Sequence, residues 1–482
     1  MPELTKAERK EQKRKASQQK RLALMDNVPI KKAILSLAIP TVITSIIQLI
    51  YNLTDTYYIG QLNHPQQLAA VSLSFPVFMV VQALGNIFAM GTPHFISRKL
   101  GAKEFDLAKR ASAMSFYTAF VLGLFMVSMF YLFRDGLLHM IGTTEGTFEY
   151  TKQYLTVIVT FGPISVLQIS MSGFLRAEGA TKFSMFSTSF GGIMNIILDP
   201  FFIFEEFSIF GLHITGFGLG VQGAAIATVI GNCMAMIMSF CFFTIGKRSM
   251  LSINPKHFRL DWSIYKEILK IGVPSAISNI FMSVGNIISN KVASQYGDMV
   301  LAAQSVAHKG MQINFMMTMG FAMGYQPLAG YNYGAKNYKR LLSGMKTTLL
   351  FATILCSCFA LFFGFFPETF MRIFSENEEV IANGKTILRA MIISMPTIGC
   401  QMTFMTTLQA TGQAIKAMII NLGRQCFFVL PLIFLLDYLW GFHGFIYAQP
   451  IAGIVTVITA FILTVPSLVK LSREAEQQTL KA

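Results

Sequence analysis

Charge is scarce in this chain. Only 13% of its 482 residues are Asp, Glu, Lys or Arg, about half the fraction of an ordinary soluble domain. With 53% apolar residues, the length accommodates twelve helical spans of roughly 20 residues joined by short loops. A soluble enzyme and a nucleic-acid binder are excluded on these grounds. Cysteine is sparse too: Cys233, Cys241, Cys356, Cys358, Cys400 and Cys426 all fall inside apolar runs, so no disulfide framework or metal motif follows from them. The seven histidines form no HExxH arrangement, which argues against a membrane zinc protease, and without a GxxxxGK[ST] loop the chain has no ATP-hydrolysing site of its own.

What charge there is has a pattern. Lys and Arg number 39 against 24 acids, and ten of the basic residues lie in the first 32 positions. That stretch is too long for a signal-peptide n-region. It reads as a solvated cytoplasmic tail, with an anionic lipid surface as its second reading. Apolar runs then occur at 33–59, 68–97, 111–132, 152–175, 183–204, 217–246, 267–290, 301–331, 342–366, 384–408, 415–440 and 443–469. Loops after even-numbered runs are basic, as with Arg98, Lys99 and Lys103, whereas those after odd-numbered runs carry Glu145, Glu205 and Glu376. The positive-inside rule therefore places both termini in the cytoplasm. The organisation expected is a tail (1–32), an N-lobe of six helices (33–246), a basic cytoplasmic loop (247–266), a C-lobe of six helices (267–469) and a C-terminal cytoplasmic tail (470–482).

Self-similarity supports the division. Leu-Ala-Ala-Val-Ser at 68–72 recurs as Leu-Ala-Ala-Gln-Ser at 301–305. Ala-Met-Gly at 89–91 recurs at 322–324, and Gly-Ala-Lys at 101–103 recurs at 334–336. Pro40 is matched by Pro274, where both bend a lobe's first helix, and Gly179 is matched by Gly412; the offsets throughout are 233 or 234. GVQGAAIA at 220–227 echoes GFHGFIYA at 441–448. Six helices separate the copies, an even number, so both halves cross in the same sense and are related by a pseudo-two-fold axis along the membrane normal. The fold class is thus all-α integral membrane with twelve transmembrane helices in two lobes, a plan used by transporters that open a midplane cavity alternately to each side.

Ionisable groups inside such spans are functional candidates by default. The first helix carries Asn52 and Asp55, three apart, and the fifth carries Asn195 and Asp199, four apart, so each pair shares a helical face. Asp55 lies 22 residues past Ala33 and Asp199 lies 17 past Lys182, roughly 33 and 26 Å of helix from the cytoplasmic side at about 1.5 Å per residue. Both acids then sit in the outer half of the membrane. Carboxylates and side-chain amides form an all-oxygen set that suits a proton or a small hard cation rather than a soft metal. Burial penalises the ionised form and a second carboxylate penalises it further, so an arriving proton or sodium ion neutralises the pair. The competing reading is that each acid stays hydrated near the headgroups, with Asp199-Pro200 simply ending its helix.

Other charges are less specific. Arg176 and Glu178 read as caps at the cytoplasmic surface and Lys291 as a snorkelling residue. Lys309, Arg389 and Arg424 line the second lobe's cavity or balance helix ends, and the two readings stay open. The 29 methionines and 44 phenylalanines would make adaptable walls for varied ligands, or simply pack against lipid.

Together, Pro40 with Asp55 in NLTDTYYIG, the NIILDP element, GVQGAAIAT and QPLAGYNYGAK at 326–336 resemble the multidrug and toxic compound extrusion (MATE) family over nearly the whole chain after the tail. The resemblance implies a V-shaped pair of six-helix lobes that exports amphipathic, often cationic drugs in exchange for Na+ or H+. In members with this N-lobe pattern it also implies a coupling-ion site at Asp55, Asn195, Asp199 and Thr228, to which we add the Ala224 carbonyl and Asn52 as extra ligands. Another branch carries acids in helices seven and ten; here Asp55 aligns with Ser289, and helix ten shows Arg389 but no carboxylate. The chain is therefore similar to the MepA-like and DinF-like branch.

The expectation is a secondary active multidrug exporter of the bacterial inner (cell) membrane, not an enzyme, needing no cofactor and no metal beyond Na+ at the coupling site. Its partners would be small-molecule drugs or toxic metabolites and membrane lipids, with no nucleic acid, and it would work as a monomer. The alternative is a flippase for a lipid-linked saccharide or other polar lipid, which basic residues lining the cavity would favour. A polytopic membrane enzyme would need a nucleophile-base or metal constellation, and the sequence offers none.

Overall fold

A computed structural model describes residues 6–62, 64–209, 212–245 and 248–481. The chain enters as α1 (Lys6–Asp26) and continues through α2 (Ile30–Gln61), α3 (Pro65–Gly101), α4 (Phe105–Met140), α5 (Glu145–Thr160), α6 (Gly162–Ala177) and α7 (Thr181–Ile203). A hairpin of β1 (Glu206–Ile209) and β2 (Leu212–Thr215) follows, with Glu206 opposite Thr215. The second half runs through α8 (Gly220–Phe243), α9 (Trp262–Ser294), α10 (Asp298–Gly334), α11 (Tyr338–Phe365), α12 (Pro367–Arg372), α13 (Glu378–Met391), α14 (Met395–Ala410), α15 (Ala414–Leu422) and α16 (Val429–Lys481).

In lipid every backbone polar group must be satisfied within the segment, which is why these apolar runs become helices. Among the described residues eight helices are long and apolar enough to cross a membrane, and two bent pairs raise the number to ten. The expected twelve are completed by α10 and by the break at Gly441, where α16 leaves helical geometry and divides. Large apolar side chains such as Phe133, Ile245, Phe365 and Ile462 stand exposed. Around helices of this length, that surface meets lipid. The bends have a shared cause. The pair α5 and α6 turns by 48° and the pair α13 and α14 by 45°, each with a proline in the first turn of its second member, Pro163 and Pro396. A proline lacks the N–H that would continue the ladder. These prolines are 233 residues apart, the repeat offset again.

The duplication also appears in the backbone. Lys103 and Lys336 adopt φ of 63° and 57°, Gly179 and Gly412 adopt 77° and 78°, and Gly220 and Gly441 adopt 55° and 56°. Each pair comes from motifs matched in the sequence.

By contacts the chain divides into two compact units. The first is Met1–Leu24, Ile43–Leu100 and Glu104–Gly272; the second is Met25–Val42, Gly101–Lys103 and Val273–Ala482. Two of these boundaries cut α2 just after Pro40 and α9 just before Pro274. In the first unit Ile59, Phe130, Leu138, Leu155 and Ile203 share a core; in the second, Phe363, Met371, Leu388, Met395 and Phe445 do so.

The basic tail forms a helix, α1, that is largely exposed over residues 11–20. Within the first unit α1 is fastened near its C-terminal end. The Gln18 amide donates to the Ser249 carbonyl at 3.0 Å, Arg21 donates to the Arg248 carbonyl, and Arg21 pairs with Glu178 at 3.1 Å.

Candidate functional site

The N-lobe candidates meet beside a tight contact between α7 and α8. Gly191, Asn195 and Asp199 recur at intervals of four and so stack on one face of α7; Ala224, Thr228 and Gly231, four and then three apart, share a face of α8. A Cβ at Gly191 would lie 2.5 Å from the Gly231 carbonyl oxygen, and one at Gly231 would lie 2.6 Å from that of Gly191. Small residues at such an interface let the backbones approach and bring the polar groups beyond them into reach.

Across this contact the Asn195 amide nitrogen donates to Asp199 Oδ1 at 3.2 Å and to Thr228 Oγ1 at 3.3 Å. Asn195, Asp199 and Ala224 are buried, with Asp199 wholly inaccessible. Asp55 enters from α2. It is close enough for its charge to act on Asp199, and both acids act on the hydroxyls of Tyr51 and Tyr154. Among the described residues no donor reaches three buried oxygens: Asp55 Oδ1, Asp199 Oδ2 and Asn195 Oδ1. The result is a buried group of acceptors short of donors, suited to a proton or a hard cation.

Of the residues singled out by sequence, Asp55, Asn195, Asp199 and Thr228 are thus brought together, and Ala224 is buried one turn before Thr228 on α8. Asn52 is not: it is exposed on α2 and makes no hydrogen bond to the cluster among the described residues. Two neighbours escaped the sequence reading. Tyr51 lies one turn before Asp55 on α2, a spacing that could have flagged it, whereas Tyr154 comes from α5 and no local pattern announces it. Among the described residues no three His, Cys, Asp or Glu side chains gather.

Among the described residues of the second half, no buried acid pair corresponds to this one. Ser289, aligned with Asp55, accepts from the Gln304 amide at 2.7 Å, so the corresponding position holds a neutral pair. Arg389 and Lys309 are exposed, Lys309 lying 4.8 Å from the Phe374 ring centroid.

A duplicated bundle of membrane-spanning helices, with buried acids in one half only, is the construction of a multi-pass transporter and not of an enzyme. The chain belongs to the MatE family, whose sequence model matches it twice, at 40–201 and 274–435. The two matches are offset by 234, the interval of the internal repeat. Among curated relatives, the multidrug export protein MepA of Staphylococcus haemolyticus is 30% identical over 90% of this chain and 93% of its own length. MepA of Staphylococcus aureus is 29% identical over 92% and 95%. Among solved structures, an outward-facing multidrug resistance MATE transporter of the MOP superfamily superposes with TM-score 0.87 at 25% identity, covering 94% of this chain and 98% of that one. A MOP-superfamily transporter from Pyrococcus furiosus, described as having a binding pocket of reversed polarity that suggests a different function, superposes at 0.86 with 26% identity, covering 94% and 98%.

Proposed function

We propose that this protein is a secondary multidrug exporter of the cell membrane, with both termini cytoplasmic, that exchanges amphipathic and often cationic compounds for Na+ or H+ at Asp55, Asn195, Asp199 and Thr228. The observation that carries the reading is the trio of buried acceptor oxygens that no donor among the described residues reaches. Export itself is supported by the MepA relatives, which share some 30% of their residues with this chain over nearly its full length.

Two ionised carboxylates sharing a water-poor interior repel each other and lose hydration. A proton on one, or a sodium ion held among the three oxygens, removes that penalty. The Asn195 amide keeps Asp199 oriented, and its second bond to Thr228 ties α7 to α8. Neutralisation therefore acts on the packing of these two helices. A conformation favoured only by the neutral site would let an inward ion gradient drive a solute outward.

Replacing Asp55 or Asp199 by Asn should abolish dye efflux and drug resistance while leaving abundance and membrane insertion unchanged. Efflux at the wild-type rate by both variants would sink the coupling site. Proteoliposomes given a sodium gradient and a pH gradient separately identify the ion.

A second reading, a flippase for a lipid-linked saccharide or other polar lipid, draws support from the basic Arg424 in the second unit. Binding of such a lipid by purified protein that ignores cationic dyes would decide for it.

A further inference from the structure

Arg424 is the cation of the second unit that the proposed exchange does not use. It sits in a π-helical turn, Gly423–Phe427, between α15 and α16; such widened turns recur at functional sites. Ten residues past Ala414, it stands about 15 Å along its helix, near the middle of a hydrocarbon core about 30 Å thick. A guanidinium there is costly unless a partner meets it.

No carboxylate does so among the described residues. The acids after residue 298 are Glu368, Glu376, Glu378, Glu379, Asp437, Glu474 and Glu476. Glu368 and Glu378 pair with Arg372, and Asp437 accepts from the Tyr296 hydroxyl. Arg424 itself makes one hydrogen bond, from Nη1 to Gln401 Oε1 at 3.2 Å, and lies 5.2 Å from the Phe315 ring centroid. It lines a small open cleft with Ser394, Thr397, Gln401, Gln449 and Gly453, flanked by the apolar Met311 and Ile398.

The cleft offers both donors and acceptors, but among the described residues no acid balances the charge of Arg424. Ser394 and Thr397 commit their hydroxyl hydrogens to the Met391 and Ser394 carbonyls. Gln401 spends its oxygen on Arg424 and keeps its NH2 to donate. Gln449 makes no side-chain hydrogen bond within the described residues. Guanidinium N–H groups and two carboxamide NH2 groups beside a glycine, with no acid, are the donor set of an anion site.

We propose that this cleft binds a small monovalent anion, either a free halide or the carboxylate of a carried solute, with Arg424 as its charge and Gln401 and Gln449 as neutral donors. The site is independent of the coupling reading, since it rests on a different unit and on binding alone.

The test uses purified full-length protein in detergent, in sulfate buffer of constant ionic strength. Chloride and the fluorescent 9-anthracenecarboxylate are titrated separately, with the anthracene methyl ester as the uncharged control. Wild-type protein should bind at least one of the two anions saturably. R424Q should weaken that binding tenfold or more, and Q449L should weaken it less while keeping the wild-type unfolding temperature without ligand. Chloride binding alone assigns the site to a free halide; anthroate binding that the ester does not share assigns it to a solute's acidic group. Where R424Q folds, it decides; where it does not, Q449L does. No saturable binding of either anion to the wild type, or unchanged binding in the deciding variant, overturns the proposal and leaves the guanidinium satisfied by water.

Discussion

Glu178 has no exposure to solvent, and it persists there because donors converge on it. Arg21 reaches Oε1 at 3.1 Å, while the Ser249 hydroxyl and the Met250 N–H reach Oε2 at 2.9 and 2.7 Å. Burial still pushes the carboxyl up from its ordinary 4.5, with the Arg21 charge and the two hydrogen bonds pulling the other way. The sign for stability follows. A carboxyl raised in the folded chain contributes most below its ordinary value, and that contribution is lost as pH rises through the raised one. The unfolding temperature of E178Q should therefore depend less on pH than that of the wild type from about pH 4.5 upward. Near neutrality E178Q should destabilise by about 3 kcal/mol, the usual cost of removing one partner from a buried pair. The double variant R21M/E178M should lose less than the two single changes together, as read by thermal unfolding of purified protein. If R21M and E178M are additive, the pair does not fasten α1. The sequence alone suggested a surface cap here, because acids in short loops usually face water. What buries Glu178 is Arg21, 157 residues away, and no local pattern links the two.

At the scale of elements, α7 and α8 behave as one polar-lined pair whose spacing is set by glycine. Asn195 can reach Asp199 and Thr228 together only while the backbones touch at Gly191 and Gly231. A methyl group at Gly231 would also lie 3.2 Å from the Asn195 Cβ. Gly231→Ala should then cost about 1–3 kcal/mol through overpacking against backbone that cannot give way. It should also lower ion-coupled efflux more than any loss of abundance accounts for, measured in proteoliposomes at matched protein content. Wild-type coupling in a stable G231A protein would show that the site does not depend on this contact. The acid and amide of α7 were legible from their spacing, since four residues is nearly one helical turn. Which glycines face one another was not, because that depends on the rotation of two helices about their axes. The same limit explains Asn52, three residues from Asp55 yet exposed, while Tyr51 lies beside the cluster.

Across the whole molecule the two halves trade their beginnings. The first turns of α2, up to Val42, belong to the second unit, and those of α9, up to Gly272, belong to the first. Within the first unit Gly91 on α3 lies against α9, where a Cβ would stand 2.3 Å from the Ile268 carbonyl oxygen. Within the second, Gly324 on α10 lies against α2, where a Cβ would stand 2.3 Å from Ala38 Cα. These glycines close the two Ala-Met-Gly motifs, so the repeat was readable in sequence. The exchange was not, since matching segments reveal kinship without saying which unit each one packs in. A prediction follows from the equivalence. In both places the added methyl meets backbone rather than a flexible side chain, so each half must shift a helix to admit it. Gly91→Ala and Gly324→Ala should each destabilise by about 1–3 kcal/mol, with similar drops in unfolding temperature. Because each added methyl meets backbone within its own unit, the double variant should lose roughly the sum. A large loss at one position beside none at the other would mean that only one of the two crossings is tightly packed, and that the sequence repeat overstates the equivalence of the halves.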